Sequence, residues 1–215
     1  MKLAVVCDFD GTITQRDTGK ELLSKLTTKD WEYYDQFVIS GEMGTREALK
    51  HQWGMIENTS VKEVFSIVDN IEIDPFFKEL YELIQQKNWG FVIVSDGFLS
   101  YIKRILNRNG IMDENISIKA NDFEIVKGKI LLKFLTESCE HGCANCKFTH
   151  VTELKEQGFT IIYIGDGLSD ILPAKSLADY IFAKKDEDLA KNLKGDKRLK
   201  TFKTLEEVKK ELLTF

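Results

Sequence analysis

Short, unbroken apolar runs alternate with segments of helical spacing along this chain, and no other feature limits its fold so strongly. Leu3-Ala4-Val5-Val6-Cys7, residues 91–95 and residues 160–165 show no amphipathic period, the mark of strands covered on both faces. Residues 116–121 and 180–183 are further strand candidates. Residues 123–126 and 129–134, around Lys127-Gly128, read as a hairpin. Leu99, Ile102, Ile105 and Leu106 share one helical face before Asn109-Gly110, and residues 147–157, 169–177 and 205–213 also read as helices. The expected fold class is α/β, a doubly wound parallel sheet with helices on both faces.

Between the first two strands the spacing stays helical for too long to be one crossover helix. Leu22, Leu23 and Leu26 form one stripe, and Trp31, Tyr34, Phe37 and Val38 another. Phe76, Phe77, Leu80, Leu83 and Ile84 form a third. The expected division is an α/β core of residues 1–14 and 89–215 with a small all-helical cap of residues 15–88 inserted in it.

The 215 residues carry 30 basic and 35 acidic side chains, a formal charge of −5. That balance lacks the basic stripe of a nucleic-acid partner. The apolar runs fall far short of the roughly 20 residues that span a bilayer, and no signal-type apolar stretch precedes Asp8, so a membrane is not an expected partner. The expectation is a cytoplasmic protein, monomer or homodimer, with its four cysteines reduced.

In open α/β sheets the site lies beyond the carboxyl ends of the strands, and those ends carry Asp8, Ser95 and Asp166. In Asp8-Phe9-Asp10-Gly11-Thr12 two carboxylates stand two positions apart, on one side of an extended chain. Like charges at about 4 Å and an effective dielectric near 20 repel by about 4 kcal/mol, so a cation or a shared proton must resolve the pair. Alone, the motif also reads as a strand-end turn. Ser95-Asp96-Gly97 offers a hydroxyl and N–H groups for phosphate, or a plain helix cap. Gly165-Asp166-Gly167-Leu168-Ser169-Asp170 adds two carboxylates. Lys147 opens a helix between these segments and by itself reads as a solvated lysine.

These four segments, in this order, resemble the motifs of the haloacid dehalogenase-like phosphohydrolase superfamily. The Asp-x-Asp-x-Thr form is similar to its phosphatase branch. The resemblance implies a Rossmann-like core and Mg²⁺-dependent hydrolysis of a small-molecule phosphomonoester through an aspartyl-phosphate. Asp8 would be the nucleophile and Asp10 the acid and base. Asp8, Asp166 and the Asp10 carbonyl would hold Mg²⁺, with Asp170 ordering the metal's waters or anchoring Lys147. Ser95 and Lys147 would hold the phosphoryl oxygens, with Thr12, Asp96 and Gly97 beside them. Cap opening would hinge near residues 14–17 and 88–90. Transfer to an acceptor other than water, and an idle module that binds metal or a partner, are the competing readings.

The cap resembles the helical type of phosphoserine phosphatase-like members, in which an acid and an arginine grip the substrate. Asp17 stands at the acid's position, whereas Gln52 falls near the arginine's and Arg46 lies earlier. Trp31, Trp53 and Met55 line an apolar pocket or form cap core. Just before Lys147, Cys139, Cys143 and Cys146 have C-x3-C-x2-C spacing, with His141 inside and His150 after. That pattern suits a structural Zn²⁺ site of Cys139, Cys143, Cys146 and His141, a redox-labile loop, or plain reduced thiols. A Cys-rich stretch ending in the motif lysine resembles the methionine-salvage phosphatases, which act on a methylthio-diketopentyl phosphate. It also resembles the phosphoethanolamine/phosphocholine and pyridoxal-phosphate phosphatases. Cys7 reads as a small buried apolar residue.

Overall fold

A computed structural model describes residues 2–111, 116–137 and 139–215. The chain opens with β1 (Leu3–Cys7) and passes through α1 (Thr18–Leu26), α2 (Asp35–Ser40), α3 (Thr45–Gly54), α4 (Val61–Val68) and α5 (Phe77–Gln86). It returns to the sheet as β2 (Gly90–Phe98), followed by α6 (Leu99–Arg108), β3 (Ser117–Val126) and β4 (Lys129–Lys133). After a loop come α7 (Lys147–Glu156), β5 (Thr160–Gly165), α8 (Ile171–Leu177), β6 (Tyr180–Lys184), α9 (Asp188–Asn192), β7 (Leu199–Phe202) and α10 (Leu205–Leu212). No helix among the described residues is long and apolar enough to cross a membrane.

The seven strands lie in the order β4-β3-β2-β1-β5-β6-β7. All neighbours are parallel except β3 and β4, which form the hairpin. The period of two sorts β1 onto two buried faces: Leu3, Val5 and Cys7 face α5, α6 and α10, while Ala4 and Val6 face α7, α8 and α9. Burial on both sides is why β1 has no polar alternation. Because β2 and β5 flank β1, the carboxyl ends of all three open into one crevice.

Several elements differ from their sequence reading. Residues 117–126 are one continuous strand: its first half pairs with β2 and its second with β4. The helix expected to open at Asp96-Gly97 starts at Leu99, because β2 runs on to Phe98 through a register shift between Ser95 and Phe98. A short 3₁₀ turn over Leu168–Asp170 precedes α8. Strand β7 and helix α9 have no apolar run long enough to announce them.

The inserted helices rest on the sheet. Leu22, Trp53, Val64 and Val68 share a continuous apolar cluster with Val5, Phe9 and Phe98. Trp53 meets Phe98 edge to face at 4.7 Å between centroids, an arrangement aromatic pairs prefer. The chain leaves and re-enters this layer side by side: Gln15 N–H donates to Glu72 O at 2.9 Å and Asp74 N–H to Ile13 O at 2.8 Å. Helix α5, within the segment read as cap, packs mainly against α10 and β2.

Candidate active site

Three strand ends and one helix start build the site. Asp8 follows β1 directly, and its N–H donates to Ile164 O of β5 at 2.9 Å, which fixes the turn. Lys147, the first residue of α7, is 3 % exposed. Its Nζ lies 2.8 Å from Asp8 Oδ1 and 2.7 Å from Asp170 Oδ1. Asp170 is fully buried. Its Oδ1 also accepts the Tyr163 hydroxyl at 2.7 Å, and its Oδ2 accepts the N–H groups of Asp166 and Gly167 at 3.1 and 3.0 Å. Four donors occupy the roughly four acceptor positions of a carboxylate. Asp170, expected from sequence to order a metal's waters or to anchor Lys147, thus bonds both Lys147 and the 166–167 turn.

Asp10 lies beyond the turn. Its Oδ2 accepts the Tyr101 hydroxyl at 2.6 Å and the Ser95 hydroxyl at 3.1 Å, while its Oδ1 is buried without a partner. Gly97 allows this approach, since a Cβ there would overlap both the Tyr101 hydroxyl and Asp10 Oδ2. Its N–H donates to Ser95 Oγ at 2.9 Å. The Asp96 carboxylate accepts Asn145 N–H at 3.1 Å. Thr12 donates to Asp166 Oδ1 at 2.5 Å. Gly11, at φ +85°, brings its backbone against the Asp166 carboxylate, where a Cβ would clash.

So many acids in one crevice raise one another. Burial first, then the Asp170 charge, lifts Asp8 well above the usual carboxylate range, against the pull of Lys147. Burial and Asp170 push Asp166 up to about 7. Burial and the Asp17 charge bring Asp10 to about 6. Burial works against the charge on Lys147, but Asp170 and Asp8 outweigh it and hold its pKa above the ordinary lysine value. One carboxylate oxygen from each of Asp8, Asp166 and Asp170 lies within 4.8 Å of the others. Hard oxygens, a surplus of buried negative charge and an unpartnered Asp10 Oδ1 fit a small divalent cation.

The loop before Lys147 is pinned from three sides. Buried Asn145 donates from Nδ2 to Ser95 O at 2.9 Å and to Lys119 O at 2.8 Å, bridging β2 and β3. Its Oδ1 accepts His150 Nε2–H at 2.8 Å. Helix α3 grips the loop as well: Thr45 Oγ1 accepts Ala144 N–H at 2.8 Å, and Arg46 N–H donates to Gly142 O at 3.0 Å. The Arg46 guanidinium donates to the carbonyls of Cys143, Thr136 and Glu137 and stacks on Phe134. Arg46 is thus committed to the loop. The side chains of Cys139, His141, Cys143 and Cys146 converge, whereas His150 serves Asn145.

A cleft of about 430 Å³ contains Asp8, Asp10, Ser95, Lys147 and Asp166. Arg16 is the one arginine lining it among the described residues, and its side chain is 79 % exposed and paired with Glu21. An apolar side pocket of about 170 Å³ adjoins it, walled by Leu23, Trp31, Val38, Leu49 and Trp53. Asp17 lines both and caps α1 by accepting Lys20 N–H at 2.9 Å. Gln52 donates to Asp35 Oδ1 at 2.8 Å. The Trp53 indole N–H is buried without a partner. Tyr101 and Asn145 were not singled out from sequence: the first looks like part of the α6 apolar stripe and the second like a loop residue.

The sequence model of a family described as haloacid dehalogenase-like hydrolase matches residues 5–175. A 2-hydroxy-3-keto-5-methylthiopentenyl-1-phosphate phosphatase from Brevibacillus brevis is 27% identical over 185 residues, 85% of this chain and 83% of that protein. The protein of the same name from Bacillus mycoides is 29% identical over 187 residues, 86% of this chain and 84% of its own. Among solved structures, a substrate-bound phosphoserine phosphatase complex superposes with a TM-score of 0.75 at 16% identity, covering 98% of both chains. A phosphoserine phosphatase from T. onnurineus in complex with NDSB-201 gives 0.72 at 22% identity, over 99% of this chain and 94% of that one. At such identities the structural likeness speaks for the fold.

Proposed function

The chain belongs to the haloacid dehalogenase-like hydrolase family; it is a phosphoric monoester hydrolase, and we propose that Asp8 is its nucleophile and a thioether-bearing pentenyl phosphate its substrate. An Asp8 oxygen attacks phosphorus while the bond to the leaving oxygen breaks, and Asp10 gives that oxygen its proton. Water then attacks the aspartyl-phosphate, Asp10 takes the water's proton, and phosphate leaves. A carboxyl near 6 can both hold and release a proton around neutrality. Lys147 and Ser95 bind the phosphoryl oxygens, and Asp170 keeps Lys147 in place.

Asp8, Asp166 and the Asp10 carbonyl are the groups that would hold Mg²⁺. The ion, when bound, offsets the carboxylate charge facing a phosphate dianion and stabilises charge in the transition state. The soft donors of Cys139, His141, Cys143 and Cys146 suit a different ion.

The substrate reading rests on the side pocket. Its wall of Leu23, Trp31, Val38, Leu49 and Trp53 suits an apolar tail such as a methylthio group. The names of the similar Brevibacillus and Bacillus proteins point the same way. Phosphoserine fits less well, because no buried arginine among the described residues lines the cleft to clamp a carboxylate.

The test is phosphate release from the methylthio-diketopentyl phosphate, phosphoserine, phosphoethanolamine, phosphocholine and pyridoxal phosphate, with Mg²⁺ and with EDTA. The expected result is Mg²⁺-dependent release with a kcat/KM highest for the first compound. It should be lost in Asp8→Asn. Equal turnover of phosphoserine would overturn the substrate assignment, and an active Asp8→Asn variant the nucleophile.

A further inference from the structure

We infer that Cys139, His141, Cys143 and Cys146 form a structural zinc site that braces the segment carrying Lys147 against helix α3. One ligand atom from each residue lies within 4.8 Å of every other. Zinc–sulfur bonds of about 2.3 Å place tetrahedral sulfurs on the order of 3.8 Å apart, so the cage closes with a small contraction. Three sulfurs and an imidazole are soft donors that select Zn²⁺ over the hard cations suited to the neighbouring carboxylates.

The surroundings are those of a ligand cage. The four cysteines of the chain are all free thiols. Gly142, at φ +64°, turns the loop so that Cys143 N–H donates to Cys139 Sγ at 3.4 Å. Thr149 Oγ1 donates to Cys146 Sγ at 3.2 Å. Hydrogen bonds to ligand sulfurs offset thiolate charge and fix ligand direction. On binding, each thiol gives its proton to solvent and its sulfur forms a bond to the ion, with no change of oxidation state.

The position gives the ion its task. Cys146 precedes the first residue of α7, and that residue is Lys147. On the other side, Gly142 packs directly on Gly44, and Arg46 holds three carbonyls of the 136–143 segment. An ion joining Cys139 to Cys146 closes this short loop around the strut.

The test uses the full chain, purified reduced and without added metal. Element analysis should find close to one zinc per chain. After zinc is stripped, Co²⁺ should restore strong tetrahedral ligand-field bands with thiolate-to-cobalt charge transfer, which carboxylate sites do not give. Cys143→Ser and His141→Asn should lose stoichiometric zinc, whereas His150→Gln and Cys7→Ala should keep it. A reduced, folded wild-type chain that shows no thiolate–cobalt bands overturns the site, whatever the variants do. Zinc held unchanged by Cys143→Ser overturns the ligand set. Neither readout depends on turnover, so an inactive phosphatase would leave this result standing.

Discussion

The Tyr101 hydroxyl donates to Asp10 Oδ2 across 2.6 Å, from α6 to the turn after β1. That bond stabilises the carboxylate of Asp10, opposing the burial that lifts it to about 6. Tyr101→Phe keeps the ring that packs on Phe9 and Phe98 and removes only the donor. The limb of the pH–rate profile set by Asp10 should move to higher pH, with kcat down about tenfold, a part of the roughly 10²–10⁴-fold that a general acid–base group contributes. An unmoved limb would show that Asp10 does not titrate in turnover.

Lys147 is a buried cation between two carboxylates, so its loss leaves charge stranded. Lys147→Met should lower stability by about 3–5 kcal/mol, as breaking a buried pair does. Lys155→Met removes a half-exposed pair with Asp179 and should cost about 1 kcal/mol or less. Urea midpoints of the two variants would show whether burial, and not pairing as such, sets the penalty.

Asn145→Ala would leave the carbonyls of Ser95 and Lys119 and the imidazole of His150 without their partner. Buried groups left unpaired cost about 1–3 kcal/mol each, reduced where water enters, so a loss of roughly 2–3 kcal/mol is expected. Activity should fall further than stability alone requires, because Asn145 sets where Lys147 begins its helix. Metal content should stay at the wild-type value. A variant with wild-type kcat/KM would reduce Asn145 to a loop residue.

His150 is held below the ordinary histidine pKa, chiefly by burial, with Lys119 adding to the effect and Glu153 opposing it. In the unfolded chain it titrates near about 6.5. Folding therefore favours the neutral ring. This contribution is complete above about 6.5 and is lost as pH falls through the lower folded value. His150→Gln keeps a donor for Asn145 without titrating. Between about pH 8 and pH 5 the wild type should lose more stability than the variant. Parallel urea midpoints across that range would contradict the assignment.

What could be read ahead of the structure was what is local. Residues 3–7, 91–95 and 160–165 announce strands because both of their faces are buried, and burial leaves its mark in each run alone. Asp8, Asp10, Ser95, Asp166 and Asp170 could be placed at one crevice because their positions follow from those strand ends. Tyr101 could not, since its hydroxyl acts at a residue distant in sequence while its ring belongs to the core stripe of α6. Strand β7 stayed hidden because Leu199–Phe202 is four residues long and half exposed. Asp170 shows a further limit: its sequence position suits ordering a metal's waters or anchoring Lys147 equally, and its four donors come from residues that no local pattern brings together.

The side-by-side departure and return at Gln15 and Glu72 bears on how such a chain diversifies. Two adjacent ends are the geometry of a graft. Residues 16–71 lie between those two points and outside every strand, so a change of pocket there need not alter which strands are neighbours, provided that Leu22, Trp53, Val64 and Val68 still cover Val5, Phe9 and Phe98. The Arg46 stitches to the 136–143 carbonyls set a second condition on that change. A new selector that lacks them inherits a loosened lysine, so the pocket and the cysteine loop must change hands together.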